Sequence, residues 1–361
     1  MSEGDPPLLM TPGPTRIPER ILLAGHRVVH HRTPEFSSAL EELLEKVRPL
    51  FGTASADVLP VHATGRAAME GAVVNFFLPG DTVVACCNGS FGEMWAGFAE
   101  RYGLNTVRVA TDWDQSVDPG EVAGALEANP GARAVTIVHS DTSTGVLNPV
   151  ADVATVARER GALTLVDGIS SVGGAPFCFD GWDLDFAVTS SQKCLMSSAG
   201  MSLAVVGERA WKSAERGGMP RAYLDFASIR KTLSWPRSET PGTTPVMLTL
   251  QLLEAVRIIQ EEGLETVFDR HRAMADRVRA SAAEWGYGLQ GPGIVERSPT
   301  LTALVAPEGV EPDSVRARVR AAGIQIAVGM GAYKSTGVRI GHMGDIRLPD
   351  VERTMDALSG A

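Results

Sequence analysis

Short, nearly unbroken apolar runs alternate along this chain with segments whose apolar residues recur at the helical period. That alternation predicts strands buried on both faces by crossover helices. The runs are Val58 to Val61, Val83 to Cys86, Ala134 to Val138, Leu163 to Val166, Phe186 to Val188 and Leu203 to Val206. Between them, Phe36, Leu40, Leu43, Leu44 and Val47 fall on one helical face, and Val150 to Arg160 reads as a crossover helix stopped by Gly161. A new pattern begins after Pro245. Leu248 to Glu262 reads as an amphipathic helix ending at Gly263, and a second runs from Leu264 to Trp285. Leu301 to Val305, Pro312 to Ala322, Ile324 to Val328, Val338 to Ile340 and Pro349 to Leu358 then alternate strand and helix again. The expected fold is α/β: a large, mostly parallel, doubly wound sheet domain over 21–247 and a smaller C-terminal α/β domain over 248–361. Residues 1–20 are expected to pack on the active site and the small domain.

Composition narrows the function. A 44% hydrophobic content over 361 residues supports a large core, and a formal charge of -10 with no basic run argues against a nucleic-acid partner. Small molecules are the expected partners. Cys86, Cys87, Cys178 and Cys194 have no C-x-x-C spacing, and adjacent Cys86 and Cys87 cannot readily staple a secreted fold. The segment from Met1 to Pro7 is acidic and proline-rich where a signal peptide would be basic and then apolar, and no run approaches membrane-spanning length. A cytoplasmic enzyme is expected. The adjacent His30 and His31 point in different directions with no third ligand spaced nearby, so no metal is expected and they are read as entrance-loop or interface residues.

Chemistry concentrates at two strand ends. The Leu163 to Val166 run ends in Asp167, and Phe186 to Val188 leads into Thr189-Ser190-Ser191-Gln192-Lys193-Cys194. Taken singly, such an aspartate is commonly a helix cap and such a lysine is commonly solvated. Together they match pyridoxal phosphate, which needs a lysine amine for covalent attachment and a carboxylate that keeps its ring nitrogen protonated. A phosphate also needs small residues and free N–H groups at a helix N-terminus. Thr64-Gly65-Arg66, after a strand-like run and before a helix through Asn75, fits, although a threonine cap with a glycine turn reads the same way.

The order of further motifs extends this reading. Leu9-Met10-Thr11-Pro12-Gly13-Pro14-Thr15, Asn88-Gly89-Ser90-Phe91-Gly92, His139-Ser140-Asp141-Thr142-Ser143-Thr144-Gly145, Val166-Asp167-Gly168-Ile169-Ser170-Ser171, Ser191-Gln192-Lys193 and Val338-Arg339-Ile340-Gly341 occur in the order of class V pyridoxal-phosphate aminotransferases. The chain resembles the alanine–glyoxylate/serine–pyruvate aminotransferase group nearly end to end. The resemblance implies the fold type I architecture, a homodimer with shared active sites, and roles for single residues. Lys193 would carry the cofactor and Asp167 would pair with its ring nitrogen. Phe91 would stack on the ring, Ile169 lie beneath it, and Thr142 touch it near its phenolic oxygen. Thr64, Gly65, Arg66 and Gln192 would cradle the phosphate, with Thr243 reaching it from the other subunit. Gly13, in the Pro12-Gly13-Pro14 turn, would shape the substrate site, and Arg339 would clamp a substrate carboxylate through its guanidinium fork.

The implied reaction moves the amino group of alanine or serine to glyoxylate or pyruvate. Ureidoglycine–glyoxylate transamination shares the Gln192 to Leu195 run, but enzymes of that kind carry Asn-His-His-Thr where this chain has Thr240-Pro241-Gly242-Thr243. Aminoethylphosphonate transamination is another rival on the same fold. Cysteine desulfuration would require a cysteine well after the lysine, and the last is Cys194. A nucleotide-dependent oxidoreductase would need a G-x-G-x-x-G turn after an early strand, which is missing. One departure stands out: Ser197-Ser198-Ala199-Gly200 occupies the place where many relatives have Pro-Pro-Gly.

Overall fold

The computed structural model describes residues 6–359, so Met1 to Asp5 of the acidic N-terminal segment lie outside it. Seven strands form the main sheet: β1 (Asp57–Val61), β2 (Thr82–Cys86), β3 (Asn105–Val109), β4 (Ala132–Val138), β5 (Leu163–Asp167), β6 (Phe186–Ser190) and β7 (Ser202–Val206). Their order is β1-β7-β6-β5-β4-β2-β3. β7 runs antiparallel to both its neighbours, and the other pairs are parallel. Alternate residues of the central strands feed two apolar layers. Val135, Ile137 and Val166 join the core under one set of helices, whereas Ala134, Val138, Leu163 and Leu165 join the other.

The apolar runs predicted as strands all pair, but β3 escaped the pattern. As an edge strand it exposes Asn105 and Arg108 and buries only Val109, so no apolar run marks it. The helix Val246–Glu262 buries Leu252, Leu253, Ala255, Val256 and Ile259 in the same core as the main sheet. After Gly263 at φ +85°, the helix Leu264–Glu284 turns Met274, Val278 and Ala282 toward a separate core.

That second core underlies a four-stranded antiparallel sheet, ordered Gly288–Leu289, Leu301–Val305, Gly337–Gly341 and Ala327–Val328. The single run expected from Ile324 to Val328 is divided between two sheets. Ile324–Gln325 pairs in parallel with Leu8–Leu9, and Ala327–Val328 lines up against Arg339 and Val338. The N-terminal strand thereby ties the small sheet to the segment that crosses the active site. Among the described residues, no helix is long and apolar enough to cross a membrane.

Candidate active site

Adjacent parallel strands deliver the ionisable pair. Asp167 ends β5, flanked by Val138 of β4 and Val188 of β6. It is 3% exposed, and burial pushes its carboxyl up to about 7. Oδ1 accepts from the Ile169 N–H at 2.8 Å, while no protein donor meets Oδ2 among the described residues. Lys193 follows the end of β6 in a turn closed by its own N–H to the Ser190 carbonyl (3.3 Å) and by the Met196 N–H to its carbonyl (2.8 Å). Burial lowers its amine to about 8, against the pull of Asp167 and Asp141.

The N-terminal turn roofs the lysine. Nζ donates to the Pro12 carbonyl, and Thr15 fastens the turn through its N–H to the Gln192 carbonyl and its Oγ1 to the Lys193 carbonyl, both at 3.1 Å. Gly13 has φ +95°, and a Cβ there would lie 2.4 Å from Lys193 Cδ and 2.8 Å from Nζ. Only glycine lets the backbone cross the amine at this separation.

The cradle expected at Thr64–Arg66 opens the helix Gly65–Phe76, with Thr64 as an N-cap whose hydroxyl makes no cap hydrogen bond. Gly65 donates its N–H to Ser190 Oγ at 3.0 Å, and Ser190 donates to Gln192 Oε1 at 2.7 Å. A Cβ on Gly65 would meet Ile169 Cδ1 at 2.4 Å, so the glycine lets the helix start pack directly on Ile169. The exposed side chain of Arg66 lies over the Phe98 ring, 5.7 Å from the centroid.

Across the site, the loops after β2 and β4 meet. Phe91 is half-buried at the start of the helix Ser90–Arg101, and its N–H donates to Asp141 Oδ2 at 3.1 Å. Thr142 is buried, and its carbonyl accepts from Arg339 Nη1 at 2.7 Å. Arg339 Nε donates to the Val328 carbonyl, also at 2.7 Å, which leaves one hydrogen on Nη1 and both on Nη2 for a ligand. Burial lowers the guanidinium pKa and Asp141 opposes this.

The structure therefore gathers Gly13, Gly65, Ile169, Gln192 and Lys193 through direct contacts, joins Thr142 to Arg339, and seats Asp167 on the strand beside the lysine's own. Thr243 stands elsewhere on this chain: it is exposed, in a groove of 370 Å³ lined also by Pro60, His62, Tyr223 and Thr240. The Ser197–Gly200 stretch folds against Ser191, whose Oγ donates to the Ser198 carbonyl at 2.6 Å, and the buried Ser197 hydroxyl has no partner among the described residues. His30 and His31, expected to point in different directions, instead lie with ring centroids 4.6 Å apart.

Sequence reading passed over Ser190 and Asp141. Both lie just beyond an apolar strand run, Ser190 two residues after Val188 and Asp141 three after Val138, and that position was the available signal.

These residues fit pyridoxal phosphate. Asp167 Oδ2 meets no protein donor among the described residues, on a residue 3% exposed, and suits a protonated ring nitrogen. The uncapped Thr64 hydroxyl and the glycine-lined helix start suit a phosphate, and Lys193 is an amine of lowered pKa beside them.

The model for class V aminotransferases matches residues 19–348. The chain is 34% identical over 359 residues to the soluble hydrogenase small subunit of Synechococcus sp., covering 98% of this chain and 92% of that one. It is 35% identical over 352 residues to the serine–glyoxylate aminotransferase of Methylorubrum extorquens, covering 94% and 86%. Among solved structures, the ureidoglycine–glyoxylate aminotransferase of Bacillus subtilis superposes with a TM-score of 0.93 at 30% identity, over 100% of this chain and 94% of that one. The alanine–glyoxylate aminotransferase of Nostoc sp. also gives 0.93, at 31% identity over 99% and 96%. A half-buried lysine just past one strand end beside a buried aspartate at the end of the next, set in a chain that matches this family over nearly its whole length, places the protein among the class V aminotransferases, as a pyridoxal-phosphate-dependent transaminase.

Proposed function

We propose that the enzyme transfers the amino group of a small amino acid, alanine or serine, to a small 2-oxo acid, glyoxylate or pyruvate. The observation that carries this reading is the Arg339 guanidinium, held by the carbonyls of Thr142 and Val328 with its remaining N–H groups free, in the same site as Lys193. A fixed fork of this kind suits an α-carboxylate, which donor and acceptor share. Gly13 and the Pro12-Gly13-Pro14 turn hold the wall beside the lysine close, which favours small side chains.

When bound, pyridoxal phosphate supplies the electron sink that lets an α-proton leave. Lys193 would attach it and would carry that proton on Nζ; an amine near 8 can both accept and return a proton at neutral pH. Asp167 holds a proton at the ring nitrogen through Oδ2. Phe91 and Ile169 would bound the ring on its two faces, Thr142 would lie near the phenolic oxygen, and Thr64, Gly65, Arg66 and Gln192 would hold the phosphate. Thr243 completes the cradle of the other subunit in a homodimer; its exposure and its groove beside His62, close in sequence to Thr64, support that placement. The enzyme acts in the cytoplasm.

Ureidoglycine–glyoxylate transamination is the second reading, supported by the superposition on the Bacillus subtilis enzyme and weakened by Thr240-Pro241-Gly242-Thr243. Purified protein should absorb in the visible and lose that band when borohydride fixes the cofactor to Lys193. A screen of alanine, serine, aspartate and ureidoglycine against glyoxylate, pyruvate and 2-oxoglutarate then tests the substrates. Turnover of ureidoglycine above alanine and serine would overturn the first reading.

A further inference from the structure

We infer that Asp141 is a positioning residue of this site: its carboxylate clasps the loop after β2 to the loop after β4, and so sets Phe91 and Thr142 toward the cofactor and Arg339 toward the substrate. The inference rests on the roles proposed above for those residues. It starts from topology. β2 leads outward to β3 at the edge, while β4, its other neighbour, leads back to β5, so the strand order reverses between β2 and β4. In open α/β sheets the loops leaving such a point form the ligand crevice. Several contacts join those loops, among them the reciprocal amide pair of Asn88 and Asn148, and Asp141 is the carboxylate that binds the backbone beside Phe91.

Asp141 is 0% exposed. Its Oδ1 accepts from the Ser143 N–H at 2.8 Å and from Ser143 Oγ at 2.5 Å, and its Oδ2 accepts from the Phe91 N–H at 3.1 Å. Ser143 Oγ itself accepts from the Ser90 N–H at 2.9 Å, so the serine's single proton must point to Asp141. The chain of bonds therefore runs one way, from the backbone of Ser90 and Phe91 into the carboxylate. A carboxylic acid would need an acceptor for its own proton, and these contacts are all donors; burial raises the pKa of Asp141, and the donors oppose that rise. Gly89 supplies an independent sign of the clasp. Its φ of 177° is ordinary extended backbone, but a Cβ would fall 2.4 Å from the Asp141 carboxyl carbon and from Oδ2. The close approach of Asp141, not backbone conformation, is what calls for glycine there.

On its other side Asp141 bears on the reacting groups. The next residue, Thr142, gives its carbonyl to Arg339 at 2.7 Å. Lys193, Arg339 and Asp167 all feel the Asp141 charge, which favours the cationic forms of the first two and disfavours ionisation of the third. Loosening the clasp frees Phe91, Thr142 and Arg339 together; neutralising it changes the field at the lysine.

The test uses Asp141→Asn, near-isosteric and uncharged, and Gly89→Ala, which keeps the charge but crowds it. In cofactor-free protein, the pH midpoint for acylation of Lys193 should move down by about half a pH unit or more in Asp141→Asn, since a favourable charge is gone. In holoenzyme both variants should lose about tenfold or more in kcat/KM, with KM rising for alanine and glyoxylate alike. A wild-type acylation midpoint together with wild-type kcat and KM in Asp141→Asn overturns the inference. So does a variant altered only in melting temperature, because a merely structural clasp would change nothing else. Borohydride fixation of cofactor to Lys193 in the wild type separates the two levels. If it succeeds while Asp141→Asn is silent, the clasp fails and the transaminase reading stands; if it fails, both fall.

Discussion

The cofactor end and the substrate end of this site are built differently. Asp167 ends one strand, and Lys193 sits in the turn just after its parallel neighbour, so the ladder between those two central strands sets where both begin. Arg339 comes from a separate antiparallel sheet, and its guanidinium is aimed by the carbonyls of Thr142 in the large sheet's loop and Val328 on the adjoining edge strand. The turn over the lysine belongs to a third segment, tied by Gly341 N–H to the Met10 carbonyl at 2.8 Å and by Thr15 to Lys193. Reactive groups thus sit on rigid strand ends, while recognition groups meet where separate pieces of chain converge. Substitutions should divide accordingly, between loss of chemistry with binding kept and loss of binding with chemistry kept.

The largest effect belongs to the rigid end. Lys193→Ala removes both the attachment and the proton carrier, and should lower turnover by about 10³-fold or more and abolish the visible band. Near-normal turnover would break the assignment. Asp167→Asn should retain cofactor but lose on the order of 10²-fold in kcat, because an amide cannot stabilise a protonated ring nitrogen; equilibrium dialysis with steady-state kinetics separates the two.

At the assembled end the signature reverses. Arg339→Ala should leave the resting visible spectrum unchanged and raise KM for donor and acceptor alike, a loss of roughly 2–5 kcal/mol of binding. Arg339→Lys should recover part of it, since an ammonium keeps the charge without the fork. Wild-type KM for alanine in the alanine variant would remove Arg339 from the substrate end.

Titration gives a comparison of opposite signs within the cofactor-free fold. Burial lowers His139 to about 3 and His271 to about 4, below the unfolded value of about 6.5. Between those limits the unfolded chain binds more protons, so stability should fall as pH drops from about 6.5 toward 4. Asp167, raised to about 7, does the reverse: the folded chain holds its proton, and this contribution is lost as pH rises from about 4 through 7. Because the two windows overlap, urea unfolding across this range should show Asp167→Asn flattening the decline toward pH 7 and steepening the rise below about 6.5. The smallest effect is expected at Thr243→Ala, about 1 kcal/mol of cofactor affinity in the intact dimer. Full cofactor occupancy in a stable monomer would contradict the shared site.

Much of the rigid end was legible because burial writes itself into strands as unbroken apolar runs. Asp167 and Lys193 are conspicuous for interrupting or following such runs, where an ordinary interior would continue apolar. The pattern also placed the core helices, although Val246–Glu262 begins earlier than Leu248 and shares the main sheet's core. It gave no sign of β3, whose edge position leaves most of it facing water. Nor did it show that the Arg66 side chain lies over Phe98, a contact between residues far apart in sequence.

What the chain determined alone was its periodicity, and with it the α/β class, the strand ends that carry charge, and the glycines where no Cβ is tolerated. Tertiary structure decided which of those ends become neighbours. Strand order brings the loops after β2 and β4 together around Asp141, and chain return brings Arg339 to the carbonyl of Thr142, 197 positions away in sequence. Local pattern records how deeply each residue is buried, but not against what, because burial is satisfied equally by any apolar neighbour. A buried carboxylate or guanidinium is more selective: it needs particular donors or acceptors at hydrogen-bond distance, and only the folded chain supplies them.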